Sequence, residues 1–260
     1  MSSSSFSESS SNINQKNGIN PTKPHEYDPL LVVSGLSKFM TNGKPVLNDL
    51  SFSLQKNQIV AIVGPSGVGK TTLLKCISQL VEYNSGSISL FAGNAIYPDT
   101  KGISYWRSEV MYVPQRMPLL EGTPLDFYNK ISSLFHQSLR SQDSDNCQQS
   151  PIKTAQQWGI EPLKWSQKWS QLSGGEIQRI SLATSISCNP KVLLLDEPTS
   201  MLDTTSALLV ENTLKERGGI IIVTHNTDQQ IRISDYTLEL LPRAMYKFGP
   251  TSIPEVNDLI

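Results

Sequence analysis

The sequence is poor in the features that mark disulfide-stabilised and membrane-spanning proteins. It has only three cysteines among 260 residues, Cys76, Cys147 and Cys188. Neither their odd number nor their wide spacing fits a closed disulfide framework or a cysteine metal site. The longest apolar runs, such as 59–63, are far shorter than the roughly 20 residues that a helix needs to cross a bilayer. These absences predict a cytoplasmic protein with reduced thiols and no membrane span.

Charge of either sign is also scarce. Charged residues make up 17% of the chain, and 22 Lys plus Arg against 23 Asp plus Glu give a formal net charge of -1. A broad basic surface for nucleic acid or a polybasic membrane anchor is therefore not predicted, and nucleic acid is not an expected partner. The length suffices for one domain with a sizeable core.

Two polar segments divide the chain. Eight of the first eleven residues are serine, and residues 1–29 are predicted to form a disordered arm without the apolar core of a signal peptide or the arginines of a mitochondrial presequence. Residues 136–157 are rich in Ser, Gln and Asp, which predicts a surface insertion. We therefore expect a folded domain over 30–243, with a helical subdomain at about 105–185 that carries the insertion, and a tail over 244–260.

Short apolar runs alternate with helical patterns through this domain. Strands are predicted near 30–33 and 46–54, which would form a small leading sheet, and again at 58–63, 191–195, 220–224 and 236–241. A helix with apolar positions from Leu73 to Val81 follows the third strand. Strands that alternate with helices are typical of a parallel sheet covered on both faces. The predicted fold class is α/β, with a mainly parallel sheet and a small N-terminal antiparallel subdomain.

The turn after the strand at 58–63 matches the phosphate-loop pattern G-x-x-x-x-G-K-[ST] between a strand and a helix. Its residues, followed by Thr72, are Gly64, Pro65, Ser66, Gly67, Val68, Gly69, Lys70 and Thr71. Backbone amides and a helix N-terminus would cradle phosphate oxygens, while Lys70 reaches the terminal phosphates. The Thr71 hydroxyl is a candidate ligand for Mg²⁺. This motif predicts a P-loop NTPase.

Two carboxylates end the apolar strand at 191–195. Asp196 and Glu197 would lie at the carboxyl edge of the sheet, where open α/β sheets bind ligands. Asp196 is a second candidate Mg²⁺ ligand, and Glu197 could polarise the water that attacks the terminal phosphate. Phosphate loop and carboxylates alone fit GTPases, nucleotide kinases, helicases and motors equally well.

A further segment, Leu172-Ser173-Gly174-Gly175-Glu176-Ile177-Gln178-Arg179, precedes a predicted helix. Ser173 and Glu176 form a capping box, which accounts for those two residues but not for the two glycines between them. Gly174 and Gly175 would leave bare amides beside the positive end of a helix dipole, which favours an anion.

This octapeptide resembles the signature of the ATP-binding cassette family, and the resemblance covers about residues 30–241. It implies ATP and Mg²⁺ as cofactors and a dimer in which the signature of one protomer covers the ATP held by the phosphate loop of the other. Ser173, Gly174 and Gly175 would then contact nucleotide in trans. The expected activity is hydrolysis of ATP to ADP and phosphate.

Three further positions match the family by resemblance. Gln115 resembles the glutamine that senses Mg²⁺ and the attacking water, and His225 the switch histidine on the terminal phosphate. Gln115 lies 45 residues after Lys70, and His225 lies 28 after Glu197, in the order of the family's motifs. Phe39 stands where the family carries an aromatic that stacks on adenine, although a place in the leading sheet explains it nearly as well.

The loop 198–203 resembles the one through which paired cassettes communicate. Met201 departs from the small residue that is common there, while Asp203 holds its usual place. The apolar-rich stretch 116–127 suits either the docking of a short helix from a partner or the core of the helical subdomain.

A single cassette of this length resembles transporter ATPase subunits, which dock on a separately encoded integral membrane permease at the cytosolic face of a membrane. The short tail is similar to bacterial iron-export and plant aluminium-tolerance cassettes. The alternative is a soluble, non-transport ATPase that acts on a ribosomal, chromosomal or regulatory protein complex. Tandem cassettes and long coiled coils, which mark ribosomal and chromosomal members, are not evident in the sequence.

Overall fold

The structure is a computed structural model that describes residues 29–91, 93–117, 121–138 and 150–252. The first 28 residues of the predicted arm, residues 139–149 of the predicted insertion, and Cys147 lie outside the described residues. Within these ranges, no helix is both long and apolar enough to cross a membrane.

The described residues form ten strands and eight α-helices, joined in part by short 3-10 helices. The strands are β1 (Leu31–Phe39), β2 (Pro45–Leu54), β3 (Ile59–Val63), β4 (Ser85–Phe91), β5 (Ala95–Ile96), β6 (Val110–Val113), β7 (Val192–Asp196), β8 (Ile220–Val223), β9 (Tyr236–Leu241) and β10 (Met245–Pro250). The helices are α1 (Lys70–Ile77), α2 (Pro98–Lys101), α3 (Ile103–Glu109), α4 (Pro124–Ser138), α5 (Pro151–Gln157), α6 (Gly174–Ser187), α7 (Thr204–Arg217) and α8 (Thr227–Ile233).

These strands make two sheets. The smaller one is antiparallel, with the order β2-β1-β4-β5, and the larger one has the order β10-β9-β3-β8-β7-β6. All neighbours in the larger sheet are parallel except β10, which runs antiparallel to β9. The predicted leading antiparallel sheet and mainly parallel sheet are therefore both confirmed.

The central strands are apolar throughout because both of their faces are covered. Successive residues of β7 alternate between two cores: Leu194 packs with β1, β2 and α1, whereas Leu193 and Leu195 pack with α6 and α7. The same alternation occurs in β3 and β8. Since β3, β8, β7 and β6 are parallel neighbours, their carboxyl ends lie along one edge of the sheet.

Four predicted boundaries are wrong. The helix expected to reach Val81 ends at Ile77, because Gln79 adopts a left-handed conformation with φ 60°. The tail expected from residue 244 contains β10, whose residues Tyr246 and Phe248 pack against the core. The strand β6, placed within the helical subdomain at 105–185, belongs to the main sheet.

The fourth correction concerns the insertion at 136–157. Its last seven residues form α5, in which Pro151, Thr154 and Ala155 are buried. Ile152, Ala155 and Trp158 pack with α6 in the same core. Residues 151–157 are therefore part of the folded body and not a surface insertion.

Candidate active site

The phosphate loop connects β3 to α1 with the backbone geometry that its glycines allow. Gly64 has φ 138°, and a Cβ there would overlap the backbone carbonyl of Leu240 on β9, so no other residue fits. The Lys70 ammonium is buried and donates to the carbonyl oxygens of Gly64 and Pro65, both at 2.8 Å. Lys70 thus lies folded over its own loop.

Carboxylates face this lysine from the neighbouring strand ends. Burial lowers the pKa of Lys70 below its ordinary 10.5, while the charges of Glu197 and Asp196 act in the opposite direction. The charges of Asp196, which ends β7, and of the next residue, Glu197, thus act on Lys70.

Asp196 is buried and receives two hydroxyl groups on the same oxygen. Thr71 Oγ1 donates to Asp196 Oδ2 at 2.8 Å, and the Tyr112 hydroxyl donates to it at 3.0 Å. Burial, together with the charge and hydrogen bond of Asp196, raises the pKa of Tyr112, which stays a neutral donor. Tyr112 is not among the residues predicted from the sequence, although it is the penultimate residue of β6, which pairs with β7 near the edge where the carboxylates lie.

Glu197 receives one side chain on each carboxylate oxygen. Gln115 Nε2 donates to Oε2 at 2.6 Å, and His225 Nε2 lies 3.1 Å from Oε1. Gln115 follows β6, and His225 follows β8, so the two sheet neighbours of β7 deliver them. Glu197 itself has φ 49°, a conformation that non-glycine residues adopt at a cost. Three predicted residues far apart in sequence therefore meet at one carboxylate.

Thr71 and Asp196 have the donor atoms that Mg²⁺ prefers. Mg²⁺ takes oxygen ligands and is usually held by one or two protein oxygens together with substrate phosphates and water. A hydroxyl and a carboxylate oxygen 2.8 Å apart, next to a phosphate loop, fit that description. In the described part of the chain, three or more His, Cys, Asp or Glu side chains do not cluster as a possible metal cage.

The signature segment begins α6 with the predicted capping box. Ser173 Oγ accepts from the Glu176 amide at 3.3 Å, and the Glu176 carboxylate accepts from the Ser173 amide at 2.8 Å. The bond from the Ser173 amide, with a smaller contribution from Lys164, holds the pKa of Glu176 below its ordinary value. Among the described residues, no hydrogen bond or ion pair joins 173–175 to the phosphate loop of the same chain.

The two signature glycines lie against the loop that follows Glu197. A Cβ on Gly174 would lie 2.9 Å from Met201 Sδ, and one on Gly175 would lie 3.0 Å from the Met201 carbonyl oxygen. Gln178, buried on α6, joins the same loop: its Nε2 donates to the Glu197 carbonyl at 3.1 Å, and its Oε1 accepts from the Met201 amide at 3.2 Å. Close packing is thus a second reason for the glycines, which the sequence did not reveal.

Phe39 lies at the end of β1 and is 37% exposed. It faces Pro45 across the β1–β2 pair. The next residue, Val46, approaches the phosphate loop so closely that a Cβ on Gly69 would lie 2.9 Å from its Cγ1. Phe39 therefore lies beside the part of β2 that adjoins the loop, and its stacking on a base stays a prediction.

A mainly apolar cavity of about 170 Å³ adjoins the site. Its walls are the segment 113–117 around Gln115, the start of α6, and the loop around Met201. Gln115 and Gly174 thus line one cavity, so the glutamine segment and the signature are neighbours within the chain.

Comparison with known proteins identifies this arrangement. The family model described as ABC transporter matches residues 47–200, more than half of the chain. The chain belongs to this family. The phosphate import ATP-binding protein PstB of Thermotoga maritima is 31% identical over 233 residues, which cover 86% of this chain and 91% of that protein. PstB 1 of Yersinia pestis is 36% identical over 218 residues, which cover 80% of this chain and 78% of that protein.

Solved structures show the same fold. An ATP-binding subunit of an ABC transporter superposes with a TM-score of 0.72 at 24% identity, over 85% of this chain and 90% of that one. A dimeric bacterial ABC transporter cassette superposes with a TM-score of 0.68 at 22% identity, over 85% of this chain and 98% of that one. The predicted family and fold are confirmed, and this ABC cassette is an ATPase that energises transport.

Proposed function

We propose that this ABC cassette hydrolyses ATP in a dimer with two composite sites, with Glu197 as the base that activates water. The observation that carries the proposal is the position of Glu197, held by Gln115 at 2.6 Å and His225 at 3.1 Å beside the phosphate loop. A carboxylate held at one edge of the sheet can accept a proton from a water positioned against the terminal phosphate.

The other residues divide between phosphate and metal. The backbone N–H groups that the loop 64–72 offers, Pro65 having none, and the Lys70 ammonium would bind the phosphates, after Lys70 exchanges its two carbonyl partners for phosphate oxygens. Thr71 and Asp196, with Gln115 nearby, would hold Mg²⁺, whose charge would neutralise part of the negative charge on the phosphates. Phe39 would stack on adenine through its ring face.

A second protomer would complete each site. Ser173, Gly174 and Gly175 form the N-terminal end of the 14-residue helix α6, whose amides and dipole favour an anion. Because no hydrogen bond or ion pair among the described residues joins them to the phosphate loop of their own chain, the ATP they would bind is that of a partner cassette, a second copy of this chain in the simplest case. Hydrolysis then depends on closure, which couples the chemistry to a movement of the two protomers.

The movement would drive a separately encoded integral membrane permease, which would place this chain at the cytosolic face of a membrane. The family and the two PstB relatives support that role. Since these relatives are phosphate import proteins, uptake of inorganic phosphate is the first transport to measure. The similarity to iron-export and aluminium-tolerance cassettes stays a prediction.

The variant Glu197→Gln tests the proposal. It keeps the size of the side chain and removes the base, so the variant should still bind ATP and dimerise in its presence. It should hydrolyse ATP at least about 100-fold more slowly than wild type, because a general base contributes at least about 10² to the rate. Glu216→Gln, at an exposed position of α7, is the matched control and should hydrolyse normally. Wild-type turnover in Glu197→Gln would remove Glu197 as the base.

Affinity isolation from detergent-solubilised membranes tests the transport partner. The full chain should recover a polytopic membrane protein. Recovery of ribosomes or other soluble complexes alone would favour the alternative of a non-transport ATPase.

A further inference from the structure

A buried polar network lies behind the site, and Gln229 is its centre. Gln229, on α8, is 3% exposed. Its Oε1 accepts from the Thr224 hydroxyl at 2.7 Å, and its Nε2 donates to Thr199 Oγ1 at 2.7 Å and to Glu211 Oε1 at 2.9 Å. Both amide protons and the amide oxygen are therefore satisfied inside the protein, which fixes the orientation of the side chain.

One side of this network shapes the turn that carries His225. Thr224 and Asn226 flank the histidine, and Thr224 Oγ1 accepts from the Asn226 amide at 3.0 Å. The backbone amide of Gln229 in turn donates to Asn226 Oδ1 at 2.9 Å. Gln229 thus binds the residues before and after His225 without contacting His225 itself.

The other side holds the turn that carries Glu197. Thr199 lies two residues after Glu197, and the Ser200 amide donates to the Glu197 carbonyl at 3.2 Å, which closes a tight turn. Glu197 adopts φ 49°, and such a conformation persists only where the surroundings hold it. The bond from Gln229 to Thr199 is one such restraint.

An ion pair between a buried carboxylate and an exposed arginine anchors the network to two helices. Glu211 on α7 is 2% exposed, and its two oxygens accept from Arg232 Nε and Nη2 on α8, both at 3.0 Å. The pair is bidentate and also bonded to Gln229, so the buried carboxylate is compensated. The network is therefore a fixed point from which both turns are held.

We infer that Gln229 is a positioning residue that sets the separation of Glu197 and His225 by holding the two turns that carry them. This inference rests on the proposed roles of those two residues. The 3.1 Å contact between them is made by side chains on separate loops, and the Gln229 side chain bonds to both loops. A backbone bond from the Glu197 amide to the Val223 carbonyl, at 3.1 Å, also links the starts of the two loops. Loss of the Gln229 bonds would leave that link in place but release Thr199 and Thr224, and a displacement of about 1 Å can cost about 100-fold in rate.

Gln229→Met is the primary variant, because Met keeps the length of the side chain and forms none of its three hydrogen bonds. We expect kcat for ATP hydrolysis to fall about 10- to 100-fold and KM for ATP to change less than about two-fold, since the phosphate loop is untouched. Thr199→Val removes one of the two bonds to the loops, and Thr224→Val removes the other together with the acceptor of the Asn226 amide; each should give a smaller loss of kcat of the same kind. Gln230→Met is the matched control: it removes one bond to Thr237 on the same helix and should leave kcat unchanged.

The His225→Ala background separates positioning from general loss of structure. In that background, adding Gln229→Met should lower kcat little further than His225→Ala alone, because the histidine that Gln229 aligns with Glu197 is already absent. Two results would overturn the inference. One is a loss of kcat from Gln229→Met that is as large in the His225→Ala background as in wild type. The other is an unchanged kcat in Gln229→Met, Thr199→Val and Thr224→Val alike. If His225→Ala and Glu197→Gln themselves hydrolyse ATP normally, the proposed function fails instead.

Discussion

The contact between the signature glycines and the loop at Met201 gives a quantitative prediction. Neither Gly174 nor Gly175 has a positive φ, so alanine fits the backbone at both positions. What differs is the atom that an added Cβ would meet: Met201 Sδ at 2.9 Å from Gly174, against the Met201 carbonyl oxygen at 3.0 Å and Leu202 Cδ2 at 3.4 Å from Gly175.

These contacts predict unequal costs. Met201 is 41% exposed, and its sulfur ends a flexible side chain that can turn aside, so Gly174→Ala should lower the free energy of unfolding by less than about 1 kcal/mol. Gly175→Ala presses on main chain held by Gln178, and overpacking of that kind costs about 1–3 kcal/mol. Adding Met201→Ala should recover most of the loss from Gly174→Ala and little of the loss from Gly175→Ala.

Urea unfolding measures these free energies for Gly174→Ala, for Gly175→Ala and for each of them combined with Met201→Ala. Wild type and Met201→Ala are the references. The comparison holds if the unfolding free energy depends on urea concentration with the same slope in all six proteins. The two double-mutant cycles should give a coupling of about 0.5–1 kcal/mol for the pair with Gly174 and near zero for the pair with Gly175. Equal costs at the two glycines, or equal recovery of both by Met201→Ala, would refute the packing argument.

Two further predictions concern buried groups. Burial raises the pKa of Cys76 to about 11 and that of Cys188 to about 12. Both thiols should therefore be protonated at pH 7 and unreactive toward maleimide in a Cys147→Ser variant, so that mass spectrometry finds modification only after unfolding. Rapid labelling of the folded protein would contradict their burial. Gln178→Leu leaves the Met201 amide without its acceptor and removes one of the two donors to the Glu197 carbonyl. It should lower the free energy of unfolding by about 1–3 kcal/mol in urea titration, whereas a neutral effect would show that these bonds are replaced.

The parts of the fold that follow from local pattern could be predicted from the sequence. A strand buried on both faces, such as β7, appears as an uninterrupted apolar run, and the phosphate loop has a fixed spacing between strand and helix. The meeting of Gln115, Glu197 and His225 follows once β6, β7 and β8 are known to be parallel neighbours. The sequence predicts Glu197 from its place at a strand end, and Gln115 and His225 through the resemblance to the family.

Other features depend on tertiary contacts that no local pattern contains. Tyr112, Gln178 and Gln229 act through hydrogen bonds to residues that are distant in sequence, and polar side chains of these types are mostly exposed elsewhere. Two errors did have a detectable signal. Alternating Tyr246 and Phe248 predict β10, and the apolar spacing of 152, 155 and 158 predicts α5 within a segment that composition assigned to an insertion.

Complementation between two inactive variants tests the composite site most directly. Lys70→Ala removes the phosphate-binding ammonium, and Ser173→Asp keeps an N-cap acceptor for α6 but sets a negative charge against the partner's ATP. Each variant alone should fail to hydrolyse ATP. In an equal mixture, about half of the dimers are mixed and each holds one complete site, so hydrolysis should return to roughly a quarter of the wild-type rate. A mixture as inactive as its components would contradict a site shared between two cassettes.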